Sequence, residues 1–184
     1  MDIDQLVNVT ARAWALPILA SLHSGVPGRQ ASLLSATGAS RTAFGQSMDH
    51  LLKIRLIERN PGHGHPLRPE FRLTQQGKRA AAIAHKIRSV TQDDDQALLR
   101  RTWTLPILAT LHRPRFFNEM GRDLGPITDR ALSQSLKSME AKNWVSRTIS
   151  ETARPPRSLY SAVNSGAMIS KVVGPGLGHK DYVR

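Results

Sequence analysis

A mainly α-helical fold with small β-hairpins, laid out as two tandem copies of one domain, is predicted by three observations. The first is an internal repeat: residues 12–23 (RAWALPILASLH) return 89 positions later as residues 101–112 (RTWTLPILATLH), with 9 of 12 identical. Unrelated segments agree at roughly one position in twenty, and a period this far above the roughly 20 to 50 residues of solenoids marks a tandem of domains. The second is a short helical run, a glycine-containing turn and a longer helical run after each copy. The third is a pair of strand-like runs flanking turn-rich sequence at the end of each half. At 184 residues the chain can hold two units of about 85 residues, each large enough for a core.

Within each half the elements read in the same order. Residues 4–10 and 95–100 are predicted as short helices, followed by the tryptophan segments. There Trp14, Ile18 and Leu22, or Trp103, Ile107 and Leu111, fall at i, i+4 and i+8 on one helical stripe. Pro17 and Pro106 would cost about 3 kcal/mol in a helix interior, so a helix is expected to begin or kink just before each of them. Short helices follow at 30–36 and 116–123, then the turns at Gly38 and Gly125, then longer helices at 40–53 and 128–141. Each longer helix opens on a hydroxyl residue able to accept from orphan amides. Their inward stripes are Phe44, Met48 and Leu51, and Leu132, Leu136 and Met139.

Strand-like runs are expected at 56–60 and 71–74 in the first half and at 144–150 and 159–163 in the second, around PGHGHPLRP and ETARPPR. A helix-turn-helix followed by a hairpin is the winged-helix arrangement, in which the second helix of the turn unit enters the major groove and the hairpin reaches along the backbone. The expected division is a first winged-helix domain at 1–90, including a linker helix at 75–89, a second at 91–173, and a flexible tail at 174–184. The two domains are expected to form a pseudo-dimer within one chain, packed through the leading helices and the linker helix.

Charge agrees with such a reader. The formal net charge is +12, from 26 Lys and Arg against 14 Asp and Glu, which suits a polyanionic partner. Residues 1–23 and 93–112 hold 3 basic and 5 acidic residues, while the remainder holds 23 and 9. Positive charge is kept off the leading helices. The absence of cysteine removes disulfides, thiolate catalysis and Cys-ligated zinc. No run of 18 uncharged apolar residues and no signal-like opening occurs, so a cytoplasmic protein without a membrane partner is expected. No Ser/His/Asp arrangement, paired carboxylate motif or phosphate-binding glycine loop stands out. Neither an enzyme nor a cofactor is expected. His63 and His65 lack a third ligand, and His23 and His112 end apolar helices where they suit the C-terminal dipole, so no metal site is assigned.

Spacing singles out a base-reading face. With Leu132, Leu136 and Met139 inward, Arg130, Ser133, Gln134 and Lys137 lie opposite, behind Thr128 at the helix start. Arginine can bond guanine, and glutamine adenine, at two points. The matching first-half positions are Thr42, Gly45, Gln46 and Asp49, a poorer face because of Gly45 and the acidic Asp49, with Ser40 at the helix start and Arg41 compensating by one position. Ser40, Arg41, Thr42 and Gln46 are the expected contacts there. The expected wing arginines are Arg59, Arg68 and Arg72 in the first hairpin and Arg147, Arg154 and Arg157 in the second. They would contact phosphates or a narrow minor groove.

The second half resembles the DNA-binding domain of HxlR-type bacterial transcription regulators over about 60 residues. The resemblance rests on Trp103; Phe117, Asn118, Glu119 and Met120; Ile127 and Thr128; Leu132, Ser133 and Leu136; and Pro155, Pro156 and Arg157. It implies a winged helix-turn-helix that binds double-stranded DNA in transcription regulation. The first half is similar more weakly, through its Trp-Pro helix, residues 56–59 and residues 71–77, and lacks the Phe-Asn-Glu helix. Such regulators are usually single-domain homodimers, several with a cysteine sensor; a cysteine switch is excluded here. A homodimer in addition to the internal pair stays open. A DNA-bending architectural or recombination accessory protein and a winged-helix protein-interaction module are the alternative readings.

Overall fold

Proline placement sets the first landmark. In the computed structural model, which describes residues 1–65, 68–150 and 155–174, α1 (Ile3–Thr10) is followed by α2 (Ala15–His23), entered directly after Trp14. Pro17 is therefore the third residue of α2, inside the first turn, where a helix has no acceptor for the amide that proline lacks. A short third helix, α3 (Gln30–Thr37), ends at Gly38 with a left-handed φ of 67°. The turn leads into α4 (Arg41–Lys53), whose start is capped by Ser40 Oγ accepting from the Ala43 amide at 3.3 Å. Phe44, Met48 and Leu51 are buried as their spacing requires.

Arg55, at φ 56°, turns the chain from α4 into the hairpin, and the Leu56 amide donates back to the Leu51 carbonyl at 3.0 Å. The hairpin strands β1 (Ile57–His65) and β2 (Arg68–Leu73) pair antiparallel, with Ile57 opposite Leu73, Arg59 opposite Phe71 and a register shift between Arg59 and Gly64. Both strands run further into PGHGHPLRP than the sequence suggests. A two-stranded ribbon has only edges, and edges and irregularities are where Pro61 and Pro69 can be accommodated. Helix α5 (Gln75–Ser89) follows and packs on α2. The residues expected to link the halves thus form a helix belonging to the core beside α2.

The later residues repeat this order. A 3-10 turn (Asp93–Asp95) and α6 (Gln96–Leu99) precede α7 (Thr104–Thr110), every residue of which is buried and whose third residue is Pro106. A two-residue strand, β3 (Arg115–Phe116), leads to α8 (Phe117–Leu124), the turn at Gly125 with φ 62°, and α9 (Asp129–Ala141). Thr128 Oγ1 accepts from the Ala131 amide at 3.2 Å, and Leu132, Leu136 and Met139 are buried. Asn143, also at φ 56°, precedes β4 (Val145–Ser150); β5 (Arg157–Ala162) pairs with both β4 and β3, giving the order β3-β5-β4. The last described helix, α10 (Asn164–Val173), packs on α7.

Two compact units result, Asn8–Ser89 and, together, Met1–Val7 with the described residues from Val90 onward. Each closes in the same way. The buried face of α5, Gly77, Ala80, Ala81 and Ala84, has buried counterparts 89 positions later in α10 at Gly166, Ile169, Ser170 and Val173. A Cβ on Gly77 would lie 1.8 Å from the Leu56 carbonyl oxygen, and one on Gly166 would lie 2.1 Å from that of Trp144. Only glycine permits either approach. The same two carbonyls accept from the residues that lead into the helices, Thr74 at 3.1 Å and Val163 at 2.8 Å.

Candidate nucleic-acid interface

In the later unit, burial of Leu132, Leu136 and Met139 turns Arg130, Gln134 and Lys137 outward, all three exposed, with Ser133 half-buried between them. Thr128 is committed to capping α9. The C-terminal part of the helix is held by two further contacts. Arg101 Nη1 donates to Ser138 Oγ at 2.8 Å, and Lys142, just past the last turn, pairs with Asp94 and, at 3.3 Å, with Asp95. Hydrogen bonding to Lys142 holds the Asp94 carboxyl below the usual carboxylate range, and the same bond raises the Lys142 ammonium above its ordinary value.

The β4–β5 hairpin places two cations. Arg147 Nε donates to Ser158 Oγ at 2.9 Å, and the Arg157 guanidinium lies 4.5 Å from the centre of the Phe116 ring, within the range of cation–π attraction. Arg154 lies outside the described residues. Phe116 is fixed in turn by its amide, which donates to Glu119 at 2.9 Å, and its neighbour Arg115 pairs with Asp123 of α8. Glu119 therefore caps the start of α8, while Asn118 and Arg122 of the same helix are exposed.

The earlier unit brings together Arg41, Thr42 and Gln46, exposed on α4, with the carboxylate of Asp49 also exposed there. Ser40 is occupied as the helix cap. In its hairpin Arg59 is exposed, but Arg72 Nε donates to Glu58 Oε1 at 2.7 Å across the strands, with both side chains about half exposed. Arg68 sits in β2, its side chain outside the described set, as are those of His63 and His65. The two faces therefore differ in charge: one carries two cations and no carboxylate among Arg130, Ser133, Gln134 and Lys137, the other sets Asp49 beside Gln46.

Residues 98–175 match the HxlR-like helix-turn-helix family. The later unit carries an HxlR-like helix-turn-helix domain. The solved structure of the reduced form of the transcriptional regulator YodB from B. subtilis is similar, at 23% identity and a TM-score of 0.40, over 44% of this chain and 78% of that one. No curated protein sequence matches the chain. No described helix is long and apolar enough to cross a membrane, and among the described residues no group of three or more His, Cys, Asp or Glu side chains could hold a metal ion.

Sequence spacing missed Asn118 and Arg122 of the HxlR-like domain, which are polar and exposed on the first helix of its turn unit. In winged and other helix-turn-helix readers that helix crosses the backbone. Their signal was present, since with Met120 and Leu124 buried, positions 118 and 122 fall on the opposite side of α8. The cation–π placement of Arg157 over Phe116 had no such signal, because the two are 41 positions apart and meet only through the β3–β5 pairing.

Proposed function

We propose that this protein is a sequence-specific double-stranded DNA-binding transcription regulator. Helix α9 enters the major groove, and the β4–β5 hairpin lies on the backbone or in the minor groove. The observation that carries the reading is the exposed Arg130, Gln134 and Lys137 face on the second helix of the turn unit, in a domain of HxlR-like kind. Arg130 and Gln134 are suited to two-point bonds with guanine and adenine, and Lys137 to phosphate. Arg147 and Arg157, tethered at the hairpin, and Asn118 and Arg122 supply backbone contacts.

The earlier unit is a second, diverged copy of the same reader, so that one chain supplies a pair of winged helices. Support comes from the 9-of-12 sequence repeat, the same element order, and the matched Gly77 and Gly166 approaches. Its α4 meets DNA through Arg41, Thr42 and Gln46 with weaker preference, because Asp49 faces the same side and Arg72 is paired with Glu58. Selection of bound duplexes from a random library by the full chain tests this. The expected result is one well-defined half-site beside a degenerate one. Enrichment of no sequence would refute specific reading, and two equally strict half-sites would refute the divergence of the copies.

A further inference from the structure

The proposed DNA reading leaves one cluster unused. His23, the last residue of α2, and His85 of α5 are 62 positions apart in sequence, yet the packing of α5 on α2 brings their rings to 5.0 Å between centres, tilted by 40°. From sequence His23 reads as a helix-end cation, and nothing there pairs it with His85. Both are exposed.

The hydrogen bonds around them favour one tautomer of His85. Ser24 Oγ lies 3.0 Å from the Ala20 carbonyl oxygen and 3.2 Å from His85 Nδ1. With its hydroxyl proton donated to Ala20, Ser24 Oγ is placed to accept from His85 Nδ1. In the neutral ring this arrangement puts the hydrogen on Nδ1 and leaves the lone pair on Nε2. Fixing one ring nitrogen by a hydrogen bond so that the other is free to ligate is the arrangement found behind metal-bound histidines.

The ring separation fits as well. A zinc ion sits about 2.0–2.1 Å from its histidine nitrogen and hence about 3.2 Å from the ring centre, so two imidazoles at a tetrahedral angle have centres about 5.2 Å apart. The other unit offers a contrast within the same chain. His112 is the counterpart of His23, and the counterpart of His85, again 89 positions on, is Gly174, where a Cβ would come 3.0 Å from His112 Cβ. The second imidazole exists in one copy only.

We propose that His23 and His85 chelate a divalent transition-metal ion of the nitrogen-preferring class to which Zn²⁺ belongs, with water completing its coordination, and so tie the end of α2 to α5. Two protein ligands make this an exchangeable site rather than a structural one of four.

The test uses the full chain with His63→Ala and His65→Ala as background, titrated with Zn²⁺ against a chromophoric chelator, with Mg²⁺ as the oxygen-preferring control. One Zn²⁺ per chain is expected, with His23→Ala and His85→Gln each losing most of the affinity. Ser24→Ala should weaken it by about 10–100-fold, the usual effect of removing a supporting hydrogen bond. Long-range ¹⁵N–¹H spectra of the unsubstituted imidazole pair should show His85 protonated on Nδ1 before metal is added, and His23 and His85 resonances moving together on addition. Zn²⁺ binding unchanged by either histidine substitution, shifts confined to other imidazoles, or an Nε2-protonated His85 would each overturn the proposal.

Discussion

Arg130, Arg157 and Arg72 have the same side chain in three different settings, which separates their expected effects. Arg130 is exposed on α9 among polar neighbours. In the proposed complex Arg130→Ala should cost about 1–3 kcal/mol on the preferred duplex and relax preference at one base pair. Arg157 is held over Phe116, off the helix, so Arg157→Ala should weaken preferred and random duplexes alike. Arg72, already paired with Glu58, should matter least. Competition binding of the three variants on preferred and random duplexes checks all of this; unchanged preference in Arg130→Ala would show that α9 reads with another face. Gly45 gives a fourth test, since a Cβ there would meet nothing within 4 Å. Gly45→Ala should raise stability by about 0.5–1 kcal/mol in chemical denaturation, as helix-interior glycines do when replaced. Any loss of DNA affinity in that more stable protein would report close approach at α4.

At the level of elements, the helix-turn-helix pairs and hairpins were legible because their signals are local. Ser40 and Thr128 precede apolar stripes at helical spacing, and glycine marks each turn. What escaped was set by distance in sequence or by small side chains. Helix α10 buries Gly166, Ile169, Ser170 and Val173, a face with two small residues that carries little apolar periodicity, and β3 exists only because β5, over 40 residues later, pairs with it. Two tests belong here. Gly166→Ala drives a methyl against the Trp144 carbonyl and should destabilise by about 1–3 kcal/mol or more, as overpacking does. Gly121→Ala, in α8 with its nearest contact at 3.9 Å, should not destabilise; thermal melts of the two distinguish steric need from general loss. The Lys142 pair at the end of α9 is expected to stabilise between two limits of pH. Asp94 has its pKa lowered on folding, so its contribution is present above about pH 4 and fades as pH falls through the lowered value. Lys142 has its pKa raised, so its contribution is present below about pH 10 and fades as pH rises through the raised value. The melting difference between the parent and Lys142→Met should be flat across neutral pH and shrink at both extremes; a difference that persists at acid pH would assign it to packing instead.

For the whole molecule, charge decides the next expectation. A chain of net charge +12 that neutralises about 6–10 phosphates should lose about 10³–10⁵ in affinity between 50 and 200 mM salt. A flat response would favour a protein-binding role for these winged helices. The sequence repeat was plain from residues 12–23 and 101–112, and those segments supply the core helices α2 and α7. In the proposed reading the two units differ where Asp49 stands against Lys137 and His85 against Gly174. The paired closures at Gly77 and Gly166 bear on how such differences can accumulate. Each fastens a helix to a carbonyl of its own unit, so a change that loosens one clasp leaves the other shut. If both units read DNA as proposed, either could drift in what it recognises while the other keeps its own fold, and the molecule would carry a spare in which new specificity can be tried.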